Sequence, residues 1–271
     1  MTAVRVSLSN LAWPAEDMVE ALGLLRQGGA TGVEVAPTRI APWDELRPEA
    51  LTAYRHTLQE HGLAPSSLQA IFFGAPEAQL LGDETGFEAM QRHLRKVGVA
   101  SRALQAPVCV FGAPRNRNRH QLAPERAMEL AVQRLGILAS LAADEGLLLA
   151  MEPVPAAYNS DFLMTWEEVV QLVRAVDHHA VRLHLDTACV TLGGGSIADA
   201  IRQGAGLLAH FHAAQPQLTD FGAPLPAHAQ AGAALKDIAY AGWVCIEMLQ
   251  QPDWRQAIQG ALSTVAAAYA R

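Results

Sequence analysis

The chain has 271 residues, of which 51% are hydrophobic and 17% charged, with a formal net charge of −7. This balance excludes a disordered chain, which is poor in apolar residues and rich in charge. It also argues against a general nucleic-acid surface, which needs clustered Lys and Arg. No run of about 18 uninterrupted apolar residues occurs, and the start Met1-Thr-Ala-Val-Arg-Val lacks the basic and apolar segments of a signal peptide. Cys109, Cys189 and Cys245 make an odd count with no paired spacing, so buried, reduced thiols in a cytoplasmic protein with no membrane partner are expected.

Taken in chain order, apolar runs at residues 4–8, 31–36, 66–72, 107–112, 147–152, 181–186, 207–212 and 243–247 read as strands. Helical spacing of apolar positions fills the stretches between them. Pro124–Asp144 is the plainest, with Ala127, Leu130, Ala131, Leu135, Leu138, Leu141 and Ala142 at steps of three and four. Pro124 suits a first helical position, where its missing N–H leaves no bond unmade. Acidic or capping residues open the helices near residues 15, 48 and 165. Gly32, Gly62 and Gly242 stand where a helix hands over to the next strand.

Eight strand–helix units with continuously apolar strands predict a parallel sheet covered by helices. A doubly wound sheet is the competitor, but the turn after the first strand reads Ser7-Leu-Ser-Asn-Leu-Ala-Trp-Pro, without a Gly-x-Gly-x-x-Gly pattern. Eight units and about 250 residues are the dimensions of a (β/α)8 TIM barrel. With no linker or charge run to divide the chain, a single α/β barrel domain over 1–271 is expected.

Four strands end in an acidic or imidazole side chain: Glu152, Asp186, His212 and Glu247. A buried charge costs several kcal/mol unless it is paired or bound to metal. Barrels build their sites at the C-terminal strand ends, so these four converge on one mouth. Three carboxylates and one imidazole suit Mn2+ above all, with Mg2+ or Co2+ and less specifically Zn2+. His184 and His210 share the face of Asp186 and His212 and fit a layer beneath them, as donors to the ligands.

Other residues fall around the same mouth. Glu34 and Gln69, at the ends of strands two and three, fit hydrogen bonds to sugar hydroxyls or to neighbouring loops. Arg115, Arg117 and Arg119 form the densest basic patch, suited to a substrate phosphate or carboxylate or to anchoring a loop against acidic groups. Tyr158, Asn159 and Asp161 follow Glu152 closely enough to line a pocket. Trp13 and Trp43 fit stacking on a sugar face or burial in helix packing. His93 and His120 are expected at the surface.

The motifs Met151-Glu-Pro, His184-Leu-Asp-Thr-Ala, His210-Phe-His212 and Cys245-Ile-Glu247 resemble the metal motifs of xylose-isomerase-like TIM barrels, the sugar phosphate isomerase/epimerase family. Their spacing resembles the ketose 3-epimerase branch. The resemblance implies that Glu152, Asp186, His212 and Glu247 bind a divalent metal. It implies also that Glu152 and Glu247 act as an acid/base pair, exchanging a proton beside a carbonyl through an enediolate. A small carbohydrate substrate and a homo-oligomer are implied likewise.

Three positions depart from that branch. Tyr158 stands where it has Glu, Cys189 where it has His, and Leu218 where it has Arg, so the usual substrate shell is replaced. A lyase, dehydratase or glycoside-cleaving enzyme would share the first proton-abstraction step, and a non-catalytic barrel subunit is a further alternative. An endonuclease-IV-like nuclease is disfavoured. It needs further His ligands where this chain has Gln69, Phe111-Gly-Ala-Pro and Cys189.

Overall fold

A computed structural model describes residues 4–269, so both ends of the expected 1–271 domain lie outside it. Its eight strands are β1 (Arg5–Ser9), β2 (Gly32–Val35), β3 (Ala64–Leu68), β4 (Val108–Phe111), β5 (Leu148–Met151), β6 (Val181–Asp186), β7 (Leu208–Ala214) and β8 (Trp243–Glu247). All neighbours pair in parallel, and β1 closes on β8 to complete a (β/α)8 TIM barrel. Among the described residues the sheathing helices are α1 (Met18–Gln27), α2 (Pro48–Glu60), α3 (Glu84–Leu104), α4 (Pro124–Asp144), α5 (Trp166–Val176), α6 (Thr187–Leu192), α7 (Ile197–Gln203), α8 (Ala227–Asp237) and α9 (Trp254–Tyr269). No described helix is long and apolar enough to cross a membrane.

Local chemistry sets the helix starts. Asp83 caps α3 by accepting the Gly86 N–H, and Pro124 opens α4 where no donor is needed. Thr165 and Glu168 form a reciprocal capping box at α5, which satisfies two N–H groups that the first turn leaves without helical partners. Between the helices and the sheet lies an apolar layer that includes Leu8, Leu22, Leu25, Phe87, Phe111 and Phe211, all buried. Helix α8 meets α9 so closely that a methyl on Gly232 would strike the Ala268 carbonyl.

The chain departs from the expected pattern in a few places. Strand β3 stops at Leu68 instead of reaching residue 72, because Ala70 takes a left-handed φ of 52° and turns the chain at the barrel mouth. Strand β7 runs two residues further than expected, to Ala214. Trp13 is buried in the core and does not face a ligand. His93, expected at the surface, is buried between Trp43 and Phe72, and its Nε2 lies 2.7 Å from the Ile71 carbonyl.

One buried histidine far from the barrel axis couples stability to pH. His228 packs against Phe221 and Tyr269, with Nδ1 2.9 Å from the Tyr269 hydroxyl. Burial lowers its pKa from 6.5 to about 4. Between those values the unfolded chain binds a proton that the folded chain refuses, so stability falls as pH drops through that window. In denaturant titrations, His228→Gln should lose stability less steeply over this range than wild type, by up to about 1.4 kcal/mol per pH unit. Equal slopes would assign the proton to another group.

Candidate metal centre and its cavity

Strand register brings the four strand-end residues together. Asp186 pairs with His212 across β6 and β7, and Glu247 pairs with Ala214, two residues beyond His212 on the same face. Glu152 immediately follows β5 and sits 9% exposed. One ligand atom from each of Glu152, Asp186, His212 and Glu247 lies within 4.8 Å of all the others. His212 Nδ1 is 3.1 Å from Glu247 Oε2 and 3.9 Å from Asp186 Oδ2. Asp186 also caps α6, its Oδ1 accepting the Cys189 N–H at 2.6 Å, which fixes the carboxylate plane.

A second, fully buried layer lies beneath. Glu34 Oε1 accepts from the Ser67 hydroxyl at 2.7 Å, and Oε2 lies 3.0 Å from His212 Nε2. The Cys245 thiol donates to Glu34 Oε2 at 3.5 Å, and His210 Nε2 stands 3.6 Å from Oε1. His184 and His210 stack with ring centroids 5.2 Å apart, their Nδ1 atoms 3.2 Å from one another. His184 Nε2 reaches up to within 3.7 Å of Glu152 Oε1.

Electrostatics separates the two layers. Burial pushes the Glu34 carboxyl up, but the adjacent His212 and His210 rings and the Ser67 hydroxyl outweigh it and bring its pKa down to about 2. Burial opposes charge on His212 as well, yet Glu34 and Glu247 raise it well above the ordinary histidine value. Burial holds His184 well below that value and His210 at about 4, so both are neutral rings. In the upper layer, burial and the neighbouring carboxylates Glu247 and Asp186 raise Glu152 to about 8. Burial and Glu247 raise Asp186 to about 6.

This set fits a divalent cation. Asp186 Oδ2 and His184 Nε2 are buried without a hydrogen-bond partner among the described residues. Glu152, Asp186 and Glu247 converge with one imidazole, and the neighbouring carboxylates add to burial in raising the proton affinity of Glu152 and Asp186, as happens when no positive charge divides such groups. The donors are oxygens plus one nitrogen, with no thiolate: burial and the nearby carboxylates keep Cys189 protonated, its Sγ donating to Glu152 Oε1 at 3.8 Å.

Above the carboxylates opens a cavity of about 750 Å³, lined by residues from the ends of β1, β3, β4, β5 and β8. Glu152 and Glu247 form part of its floor, and Gln69 and Arg115 part of its wall. Glu34 does not reach it. That residue is wholly buried with both oxygens engaged, which corrects the expectation that it meets substrate hydroxyls.

The basic patch also divides. Arg117 is wholly buried and donates to the Glu152 carbonyl at 2.8 Å and the Phe111 carbonyl at 3.3 Å, so it is not a substrate grip. Arg119 is bound to Asp161 and the Leu122 carbonyl. Arg115 is exposed and has no ion pair or hydrogen bond among the described residues.

Tyr158 is half-buried and accepts the Gln217 N–H at 2.9 Å, tying the loop after β5 to the loop after β7 beside Leu218. Asn159 is exposed at a left-handed φ of 60° and lies outside the cavity lining, which corrects its expected place against substrate. Gly112 was not foreseen in this site. A methyl there would collide with Glu152 Oε2, and its position directly after a strand in Phe111-Gly-Ala-Pro was the available signal.

The fold and this acidic, imidazole-bearing mouth define a (β/α)8 barrel whose strand ends carry a side-chain set that could hold a divalent cation. The family model for xylose isomerase-like TIM barrels matches residues 22–264, and the chain belongs to that family. It is 34% identical to the D-psicose 3-epimerase of Agrobacterium fabrum over 117 residues, 43% of this chain and 40% of that protein. The match thus spans well under half the length of the curated relative.

Among solved structures, the D-psicose 3-epimerase of Clostridium cellulolyticum with D-tagatose superposes with a TM-score of 0.82 at 16% identity, covering 98% of this chain and 99% of that one. The 3-keto-D-glucoside 4-epimerase of E. coli superposes with a TM-score of 0.77 at 17% identity, covering 97% and 99%. At these identities the structural likeness is one of fold.

Two outcomes test the site's geometry and charge. Gly112→Ala should displace the Glu152 carboxylate and lower turnover on the order of 100-fold, with a melting temperature within a few degrees of wild type. An unchanged rate would show that the carboxylate relaxes freely. In chelator-treated protein at pH 9, where Glu152 is ionised, Glu152→Gln should melt a few degrees above wild type, because it removes a charge that stands beside Asp186 and Glu247. A lower melting temperature would mean that the repulsion is already relieved in the metal-free state.

Proposed function

We propose that this protein is a divalent-metal-dependent epimerase or isomerase of a keto-sugar, acting by proton transfer at the carbon beside a carbonyl. The observation that carries this reading is the convergence of Glu152, Asp186, His212 and Glu247 within 4.8 Å of one another, with Glu152 and Glu247 at the floor of one cavity. The partial relatedness to a D-psicose 3-epimerase supports a sugar as the substrate class. Glu152, Asp186, His212 and Glu247 would hold the ion, Mn2+ by preference for this oxygen-rich donor set. Bound there, a divalent cation supplies Lewis-acid polarisation of a substrate carbonyl and offsets the negative charge that develops as the proton leaves.

The chain's own groups do the rest. Glu152 and Glu247 both border the cavity with carboxylate oxygens within 4.8 Å of each other, so a substrate carbon lying between them has one carboxyl group at each face. One carboxylate takes the proton from one face of that carbon and the other returns a proton to the opposite face. His184 Nε2 and the Cys189 thiol both approach Glu152 Oε1, and they orient that carboxylate. Glu34 orients His212 from below, leaving Nδ1 facing the ligand set. Gln69 and Arg115 are the wall groups offered to substrate hydroxyls or a negative charge.

Purified protein should contain about one divalent ion per chain. It should exchange the substrate's α-hydrogen for deuterium in D2O, using ketoses, their phosphates and keto-glycosides as the panel. Glu152→Gln and Glu247→Gln should each reduce exchange by about 100- to 10,000-fold while the circular dichroism spectrum is retained. A metal-free protein not rescued by Mn2+ or Co2+, or near-normal exchange in either variant, would overturn the reading. Proton NMR of the product should find all substrate atoms retained, and an eliminated fragment would move the assignment to a lyase.

A further inference from the structure

The cavity above the carboxylates is far larger and less polar than a free monosaccharide requires. Its volume of about 750 Å³ lies in the range of about 300–1,000 Å³ that encloses drug-sized ligands. The side away from Asp186 and His212 is apolar: Leu11, Phe73, Pro76, Ala113 and Pro114 line it and retain partial or full exposure. Phe73 is 71% exposed, an unusual state for a phenylalanine, and it stands on the cavity rim.

The amide donors of that wall are largely engaged, while Gln79 Oε1 is left as a buried acceptor without a partner among the described residues. Asn116 spends both amide hydrogens on the Ala75 and Ala78 carbonyls. Gln79 Nε2 donates to the Pro76 carbonyl, and Gln69 Nε2 donates to the Ser9 hydroxyl. A hydroxyl-rich group placed there would lose water and find few partners, which is unfavourable. Arg115 is the exposed charged group of this wall, and a guanidinium stacks well on an aromatic face.

The wall is also fixed in place. Trp43 Nε1 donates to the Phe73 carbonyl at 2.8 Å, and buried His93 holds the Ile71 carbonyl. Ala70 and Ala113 adopt left-handed φ angles of 52° and 32°, which non-glycine residues keep only when their surroundings hold them there. An exposed aromatic ring on a pinned backbone is a preorganised apolar surface, able to bind without a large ordering cost.

We infer that the substrate of this site is a sugar carrying an aromatic substituent, whose ring lies against Leu11, Phe73 and Pro114 beneath Arg115 while its sugar end meets Glu152 and Glu247. This rests on the keto-sugar reading given above and narrows it. The reacting sugar occupies the polar floor, and the substituent occupies the apolar wall of the same cavity.

The test compares three keto-glucosides bearing methyl, phenyl or glucosyl substituents by α-hydrogen exchange in D2O. Calorimetric binding of the same compounds to Glu152→Gln is measured alongside. The phenyl compound should exceed both others by at least tenfold in kcat/KM and in affinity, and Phe73→Ala should reduce the phenyl-over-methyl ratio about tenfold. Preference for the glucosyl or methyl compound in binding would overturn the inference. So would an equal loss for all three in Phe73→Ala, or a change of oligomeric state with an unchanged ratio, which would assign Phe73 to a contact between copies. Tight phenyl-selective binding without exchange would support the aromatic subsite while overturning the proton-transfer reading, so the two fail separately.

Discussion

The contact between the Glu34 carboxylate and Nε2 of His212, 3.0 Å apart at zero to 1% exposure, is the interaction on which the mouth of this barrel depends. A histidine at that depth has two ring nitrogens to satisfy, and whichever is bound from below decides what the other can do. Glu34 takes Nε2, so Nδ1 faces Glu247 and Asp186. Glu34 is itself held by Ser67 from neighbouring β3 and by Cys245 from β8, two strands away on the other side. Barrel closure, with β1 lying between β2 and β8, is therefore part of the site: Glu34 from β2 reaches His212 on β7 only across the barrel interior.

Charge explains why that interior is unlike the aliphatic filling of most such barrels. Glu34, Glu152, Asp186 and Glu247 bring four carboxyl groups to one region, and the compensating groups in the chain are His212 and the wholly buried Arg117. Arg117 is bonded to the Glu152 backbone and does not line the cavity, so it lowers the cost of the Glu152 charge without occupying the face a ligand would use. The neutral pair His184 and His210 fills the remaining space with rings that can donate or accept and add no charge. What remains is an excess of negative charge in the upper layer, which a divalent cation would neutralise at low desolvation cost because the ligands are already dehydrated.

The features legible in the sequence were those that follow from strand periodicity. A carboxylate closing an apolar run has one place to be, the strand end, and eight regular units leave one mouth for the four such residues. His184 and His210 could be placed by parity for the same reason. Depth within the barrel was not legible for Glu34, because alternation says that a side chain points inward and not what it meets there. The loops were opaque for a different reason. Arg115, Arg117 and Arg119 look alike in sequence, yet the tight turn at Pro114–Asn116 and the left-handed Ala113 send one outward and bury another. His93 and Trp43 belong to separate elements, and their contact with the β3 loop depends on how α3 packs.

The three departures from the ketose 3-epimerase pattern take on meaning from where they sit. Cys189 directs a thiol at Glu152, so it supports a carboxylate where the branch has an imidazole. The Tyr158 hydroxyl accepts the Gln217 N–H, next to Leu218, and Leu218 in turn accepts the Leu249 N–H through its carbonyl. The positions that carry Glu and Arg in that branch are here used to lace the loops after β5, β7 and β8 to one another. The cavity beside these loops has Glu152 and Glu247 at its floor. The open surface that remains on its wall is Leu11, Phe73, Pro114 and the unpaired Arg115.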